Sequence, residues 1–373
     1  MNKNYLNFYK NKKVLVTGHT GFKGSWLTLL LHELGSNIYG ISDKKKEGIY
    51  EIVELSDIFK KEFFVDINTL SKKEAQEIFK IANPDIVFHM AAQSLVYEGY
   101  KNPLTTIETN VIGTFKILQY TDLESSAKTL VLATTDKVYR FPNSDNTEVA
   151  ELGGKDFYSA SKAGAEFVIE AYQGIKKRDE LNLSVIRSGN VIGGGDRAEY
   201  RLIKEVIDSI NLGKTFELRK PNSIRPWQFI LDSLWGYLMA AQDNFTNKTN
   251  EVFNLNSELN NEFTAEKIVK IFFDNWEGKV PEIIITKEEF EEVDILSNPD
   301  FIFSNDPAYD TVRLFDIDGN TVFVNSFLEC QHYVKGGWDF VITERNEIFF
   351  YNTMLVFCFI AVVVGLSLST RIF

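Results

Sequence analysis

Short runs of continuous apolar residues alternate along this chain with longer stretches whose apolar positions recur every three or four residues. KKVLVTG reads as a buried strand running into glycines, and WLTLLLHELG as the helix after it, ended by Gly35. NIYGIS is a second strand closing near Asp43, FFVD ends a third, and a polar helix covers Ser71 to Ile81. PDIVFHMAAQ is another buried strand, followed by a helix through Asn110 and Leu118. LVLATT, SASKAGAEFVIEAYQ and LSVIRSGNVIG continue as strand, helix and one further strand. Strands that are apolar without alternation, separated by helices, predict an α/β fold with a doubly wound parallel sheet covered on both faces.

After GGGD the pattern changes to helices, short strands and aromatic-rich loops such as RPWQF. This predicts a smaller substrate-binding region at the carboxyl ends of the strands, where open α/β sheets bind ligands. The expected organisation is a nucleotide-binding domain over 1–190 and a substrate-binding region over 191–281, able to return elements to the sheet. Residues 282–346 read as short β-strands with a DIDGN turn and carry no functional signal. In the tail, 347–373, no charge occurs from Ile348 to Thr370. That length matches the about 20 residues that span a bilayer, so the tail reads as a membrane-capable segment or a buried terminal element.

Composition narrows the function classes. The chain has 373 residues, 44% of them hydrophobic, and a net charge of -12 with no basic block, which argues against nucleic acid as a partner. The only two cysteines, Cys330 and Cys358, leave the first three hundred residues without a disulfide, as suits a reducing, cytoplasmic setting. His19, His32, His89 and His332 lack metal-site spacing, and no metal is expected. The lysine-rich N-terminus has no apolar core of a signal peptide.

The candidate chemistry begins in VTGHTGFKGS. Gly18, Gly21 and Gly24 stand between a strand and a helix, where missing side chains let the backbone approach a pyrophosphate at the helix N-terminus. No Walker pattern passes through Lys23. Asp43, about 20 residues on, is placed to accept hydrogen bonds from an adenosine ribose, favouring NAD, although Lys44, Lys45 and Lys46 would suit a 2′-phosphate. Asp66 and Ile67 are weaker candidates for the adenine. In FYSASKAG, Tyr158 and Lys162 are four apart and share a helix face. A phenolate at neutral pH needs a shift of about 3 units, about 4 kcal/mol. A cation at about 4 Å in an effective dielectric of about 20 supplies about that much, so one lysine helped by a nicotinium ring is about sufficient. Thr135, at the end of LVLATT, can orient the hydroxyl that the tyrosine deprotonates, and Asp136 and Lys137 follow it.

TGHTGFKG, FHMAAQ, Thr-Thr-Asp-Lys, Tyr158-x-x-x-Lys162 and RSGNVIGGGD together resemble the extended short-chain dehydrogenase/reductase superfamily, with a Rossmann-like fold. VTGHTGFKGSWL, NVIGGGD and NSIRPWQ further resemble its CDP-glucose 4,6-dehydratase family, from about Lys12 to about Gly278. The resemblance implies NAD held by Gly18, Thr20, Gly21, Phe22, Lys23, Gly24, Asp43, Asp66, Ile67, Ala91, Ala92, Tyr158 and Lys162. It implies oxidation of the sugar at carbon 4, loss of water across carbons 5 and 6, and return of the hydride to carbon 6. Thr135, Tyr158 and Lys162 would start the oxidation and Asp136 would be the acid. Lys137, where dTDP-glucose relatives carry a glutamate, would be the base or would stabilise the enolate. Asn190 would meet the substrate and Arg225 would clamp its diphosphate. Trp227 would pack on the base or serve as core, and Asn110 would support the active-site backbone. Arg187 reads as structural, and Asp196 with Arg201 as a surface ion pair. A nucleotide sugar, CDP-glucose above others, is the implied partner, in deoxysugar supply for surface polysaccharide such as O-antigen, and homo-oligomers are implied. Two alternatives stay open: another enzyme of the superfamily such as a sugar 4-epimerase, and a degenerate, membrane-tethered interaction protein.

Overall fold

The computed structural model describes residues 7–45, 48–140, 146–255 and 263–285, with the backbone of 312–315 and 321–324. Its centre is a seven-stranded sheet in the order β10-β6-β5-β4-β1-β2-β3, every pairing parallel. The strands are β1 (Lys13–Thr17), β2 (Asn37–Ser42), β3 (Phe59–Phe64), β4 (Ile86–His89), β5 (Thr129–Thr135), β6 (Asn182–Ser188) and β10 (Glu251–Leu255).

Strand periodicity sorts the core into two layers. Val14, Val16, Phe88, Val131 and Ile186 face one side, against Trp26, Leu27 and Leu31 of α1 (Phe22–Glu33) and Leu234, Tyr237 and Leu238 of α8 (Ile230–Asn247). Leu15, Ile41, Val87, Leu130 and Val185 face the other side. They meet Ile78 and Phe79 of α2 (Lys72–Ala82), Ile117 and Leu118 of α5 (Thr114–Glu124), and Ile169 and Tyr172 of α6 (Phe157–Gln173). Burial on both faces is why the central strands carry apolar residues without alternation. Side-chain caps define three of the α-helix starts, including that of the helix Ala265–Asp274, where Thr264 accepts from the Lys267 amide. Ser71 and Glu74 form a capping box on α2, and Asp156 accepts from the Ser159 amide on α6.

Between β4 and α5 the chain passes through α3 (Val96–Lys101), α4 (Pro103–Ile107) and a π-helical segment, Glu108–Gly113. The sequence suggested one uninterrupted helix through Asn110. LSVIRSGNVIG also differs from expectation, being two strands rather than one. The chain leaves the sheet at Gly189, which packs on Pro226, and β7 (Asn190–Ile192) pairs in parallel with β9 (Trp227–Phe229). Beyond β7 the chain divides. Helix α8 and strand β10 join the main sheet, whereas α7 (Leu202–Leu212), β8 (Phe216–Leu218), α9 (Ala265–Asp274) and β11 (Ile283–Ile285) surround a small core of Val206, Phe216, Val269 and Phe272.

Of the segment 282–346, β12 (Val312–Phe315) and β13 (Thr321–Val324) pair antiparallel on either side of DIDGN. The turn itself and the apolar tail 347–373 lie outside the described residues. Among the described residues, no helix is long and apolar enough to cross a membrane.

Candidate active site

Strand order reverses between β1 and β4, and the crevice at their carboxyl ends is built from three loops. The first loop carries the glycines. Gly18 has φ +70°, and a Cβ there would lie 2.7 Å from the Ala91 backbone after β4. A Cβ on Gly24 would lie 2.1 Å from the Gly18 carbonyl oxygen. The loop therefore folds flat onto the first turn of α1, whose amides receive no side-chain cap. A flat backbone ending in uncapped amides fits a dinucleotide pyrophosphate. Phe22, Lys23 and Gly24 begin that turn, and Ala92 follows Ala91 at the crevice edge.

Thr20 acts differently from expectation, because its side chain supports a neighbouring loop. Its hydroxyl meets Ser42 Oγ at 2.7 Å and donates to the Lys44 carbonyl at 2.8 Å, fixing the exposed turn that holds Asp43. Asp66 accepts from the Asn68 amide within its own turn at 2.8 Å, and the buried Ile67 side chain packs on Gly113. Neither side chain joins the reactive cluster.

The second loop answers why a buried strand ends in Thr134, Thr135, Asp136 and Lys137. All of Thr134, Thr135 and Asp136 are buried, so they are no exit to solvent. Thr134 is structural, its hydroxyl donating to Glu166 Oε1 at 2.6 Å. Thr135 donates to Asp136 Oδ1 at 2.8 Å, and it draws the pKa of the Tyr158 phenol downward. Lys137 Nζ donates to Asn190 Oδ1 at 3.4 Å.

The third contribution is α6. Tyr158, Lys162 and Glu166 fall on one face at spacings of four. Glu166 receives Arg187 Nε and Nη2, the latter at 2.6 Å, inside the protein. Asn110 holds the Gln93 backbone from both sides and donates to Ser161 Oγ at 2.9 Å, tying the π-helical segment to α6. The sequence reading missed Glu166, although its place four residues after Lys162 on the same helix face marks it. It also missed Ser161 and Gln93, which no local pattern marks.

Electrostatics separate this cleft from the acidic chain around it. Burial lowers the lysine ammonium of Lys162 to about 8 and that of Lys23 to about 7. Lys137 is pulled down by burial and by the charges of Arg225 and Arg201. Arg225 is lowered by burial and faces Asp136. Lys23 Nζ reaches Ser188 Oγ at 3.0 Å, across the crevice from its own loop. Arg201 stands 3.5 Å from Asp196, whose carboxyl burial raises, and its charge reaches Lys23, Lys137 and Tyr158. This pair therefore stands at the mouth of the cleft, with the Arg201 side chain 40% exposed and that of Asp196 15%. Trp227 is buried and donates its indole N–H to the Phe263 carbonyl at 3.1 Å, so it is a strut rather than an open stacking face.

Lys162 Nζ donates to the Ala133 carbonyl at 3.0 Å. The Tyr158 phenol is raised to about 12, by burial first and with the Asp136 charge adding to the rise, against a lowering by Thr135.

The sequence matches the profile described as GDP-mannose 4,6 dehydratase over residues 15–299. The chain belongs to that family. Within the wider superfamily it is similar to the CDP-glucose 4,6-dehydratase of Salmonella typhimurium, 38% identical over 288 residues, covering 72% of this chain and 78% of the relative. It is also similar to the dTDP-D-glucose 4,6-dehydratase of Dictyostelium discoideum, 28% identical over 278 residues, covering 70% of this chain and 62% of the relative. In fold it resembles the UDP-glucose 4-epimerase of Stenotrophomonas maltophila, solved with NAD and a formylated UDP-arabinopyranose. The TM-score there is 0.66 at 17% identity, covering 76% of this chain and 88% of that one. The profile match spans all three loops of the crevice, so the family assignment and the polar cluster concern the same part of the chain. Among the described residues, no three His, Cys, Asp or Glu side chains cluster as a metal site.

Proposed function

We propose that the chain is an NAD-dependent sugar-nucleotide 4,6-dehydratase, a hydro-lyase that converts CDP-glucose to CDP-4-keto-6-deoxyglucose for deoxysugar and surface-polysaccharide synthesis. One observation carries the reading. A carboxyl group and an amine, Asp136 and Lys137, close the same buried strand as Thr135, and Lys162 of α6 bonds that strand at the Ala133 carbonyl. Oxidation at carbon 4 needs the tyrosine and threonine. Elimination across carbons 5 and 6 also needs an acid for the departing hydroxyl and a base for the carbon-5 proton.

When bound, NAD supplies a reversible hydride acceptor. Gly18, Gly21 and Gly24 with the first amides of α1 hold its pyrophosphate, and Asp43 meets its ribose. Tyr158 and Thr135 take the sugar hydroxyl, and Asp136 protonates the leaving oxygen. Lys137, its ammonium destabilised by burial and two arginines, is placed to remove the carbon-5 proton as the free amine. In its charged form it would stabilise the enolate instead. Lys23, Arg201 and Arg225 give the cleft the positive charge that a diphosphate requires, with Arg225 suited to bidentate contact. Asn190, bonded to Lys137, is placed beside the hexose.

CDP is preferred over dTDP and UDP on the strength of the Salmonella relative and of Lys137. A 4-epimerase is the second reading, favoured by the fold likeness, and it would leave Asp136 without work. Incubation with CDP-, dTDP- and UDP-glucose, followed by mass spectrometry, tests both. Loss of one water from the CDP sugar alone supports the proposal, and an isomer of unchanged mass overturns it. The same reading pairs two copies of the chain through exposed Leu104 and Ile107 of α4, Ile112 of the π-helical segment and Phe167 of α6. It places the catalytic region in the cytoplasm.

A further inference from the structure

Between β7 and α7 runs Gly193-Gly194-Gly195-Asp196, a second glycine-rich segment beside the first. Bare glycines next to a phosphate crevice suggest another phosphate cradle. The packing rules that out, because protein already lies against this segment. A Cβ on Gly193 would stand 2.5 Å from Ile230 Cγ2 and 3.1 Å from Phe22 Cζ. One on Gly195, at φ +78°, would stand 2.8 Å from the Ile49 amide nitrogen. The Gly194 carbonyl accepts the indole N–H of Trp26 at 2.9 Å.

The segment is instead a strap fastened to the nucleotide half of the molecule. Trp26 and Phe22 both belong to α1, and Trp26 is buried. Gly48, at φ +111°, approaches so closely that a Cβ there would lie 2.5 Å from the Gly195 carbonyl oxygen. At the far end Tyr200, at φ +62°, sets its ring 4.3 Å from that of Tyr97 on α3. Helix α1 follows β1 and α3 follows β4, so the strap is tied to both sides of the crevice. Asp196 lies between these fastenings, and Arg201 comes directly after Tyr200. Arg201 Nε is buried without a hydrogen-bond partner, 3.5 Å from Asp196 Oδ2, while Asp196 Oδ1 accepts from the Ala198 amide at 3.2 Å. A guanidinium held by charge at that distance, with no hydrogen bond to fix it, takes its position from the backbone that carries it.

We propose that Trp26 is a positioning residue for the nucleotide sugar: its N–H on the Gly194 carbonyl holds the strap closed and so sets Arg201 against the substrate diphosphate. This rests on the dehydratase reading, in which Arg201 helps to meet that diphosphate. The helix that takes the dinucleotide thus also aims a group that takes the second nucleotide. Without the N–H, a buried carbonyl is left unsatisfied whenever the strap is closed, so closure is the state that the change disfavours.

Trp26→Phe keeps an aromatic ring in the core and removes the N–H. With NAD present, calorimetric titration with CDP should show affinity about tenfold weaker, about 1.4 kcal/mol. KM for CDP-glucose should rise by the same factor while kcat stays within about threefold, because the groups that do the chemistry are untouched. An Arg201→Gln background separates positioning from general loosening of the core. If Trp26 acts through Arg201, Trp26→Phe weakens CDP there by less than about twofold, whereas loosening would weaken it equally in both backgrounds. Gly48→Ala presses the strap from its other face and should show the same dependence on Arg201, which covers a Trp26 variant that fails to fold. Unchanged CDP affinity in Trp26→Phe, an equal loss with and without Arg201, or wild-type protein with no affinity for CDP overturns the inference. Wild-type protein that binds CDP but removes no water from any nucleotide sugar overturns the dehydratase reading instead, so the two failures are distinguishable.

Discussion

Replacing Glu166 by leucine should cost more stability than any other single change on the inner face of α6. Glu166 and Arg187 have side chains only 4% and 3% exposed. The carboxylate accepts from Arg187 Nε at 3.1 and 3.0 Å, from Nη2 at 2.6 Å and from Thr134 Oγ1 at 2.6 Å. Without it, only Arg187 Nη1 stays satisfied, by the Tyr139 hydroxyl and the Glu148 carbonyl. A guanidinium left buried and unpaired costs about 3–5 kcal/mol. That is a large share of the about 5–15 kcal/mol that typically separates folded from unfolded protein. Exchanging both partners, Glu166→Leu with Arg187→Met, removes the stranded charge, and Thr134 can still turn to the Ile186 carbonyl. The double variant should therefore be more stable than Glu166→Leu alone, by about 2 kcal/mol or more. Urea unfolding of the three proteins at equal slope measures this directly. A loss below about 1 kcal/mol in Glu166→Leu, or a double variant as unstable as the summed singles, would refute an anchoring role for the pair.

Other expectations are simpler. Gly24→Ala places a Cβ 2.1 Å from the Gly18 carbonyl, so calorimetric titration with NAD should show binding weakened at least about tenfold, and unchanged affinity would remove the glycine loop from the nucleotide site. Lys162 and Lys23 bind protons less tightly folded, at about 8 and about 7, than unfolded, at 10.5. Where the unfolded chain binds more protons, stability rises with pH, so these lysines contribute a rise from about pH 7 to about 10 of at most about 1.4 kcal/mol per pH unit each. Above about pH 10 the Tyr158 phenol, held at about 12 when folded, acts in the opposite direction. Lys162→Met should flatten the rise in denaturation midpoints, and an unaltered profile would count against its burial as a cation. Leu104→Glu combined with Phe167→Glu should convert a dimer to monomer by light scattering, and an unchanged mass would place the pairing surface elsewhere.

Much of the scaffold was legible because burial on both faces leaves a plain mark. Strands such as LVLAT and LSVIR carry apolar residues toward both faces without alternation, and a parallel order then requires helices between them. Capping at Ser71 and Asp156 is equally local, as is the sharing of one helix face by Tyr158 and Lys162. The sequence marked less clearly what depends on contacts between distant segments. Gly189 gives no sign that β6 ends there, because the break is set by Pro226, which comes 37 residues later. Asn110 marks no π-helical turn until Gln93 and Ser161 are seen on either side of it.

Lys23 shows the limit most clearly, and also why it matters for the chemistry. From its motif it belongs to a phosphate loop, and a lysine there suggests a surface cation for a passing anion. In the fold its ammonium crosses the crevice to Ser188, which is itself bonded to Ser233 of α8. The charge is thereby placed among Asp136, Lys137, Lys162 and Arg201 rather than in solvent. Lys137 is lowered by burial first and then by the charges of Arg225 and Arg201, which is the direction needed for it to act as a free amine. The residues that prepare this base therefore come from separate loops and helices, and its own short motif shows none of them.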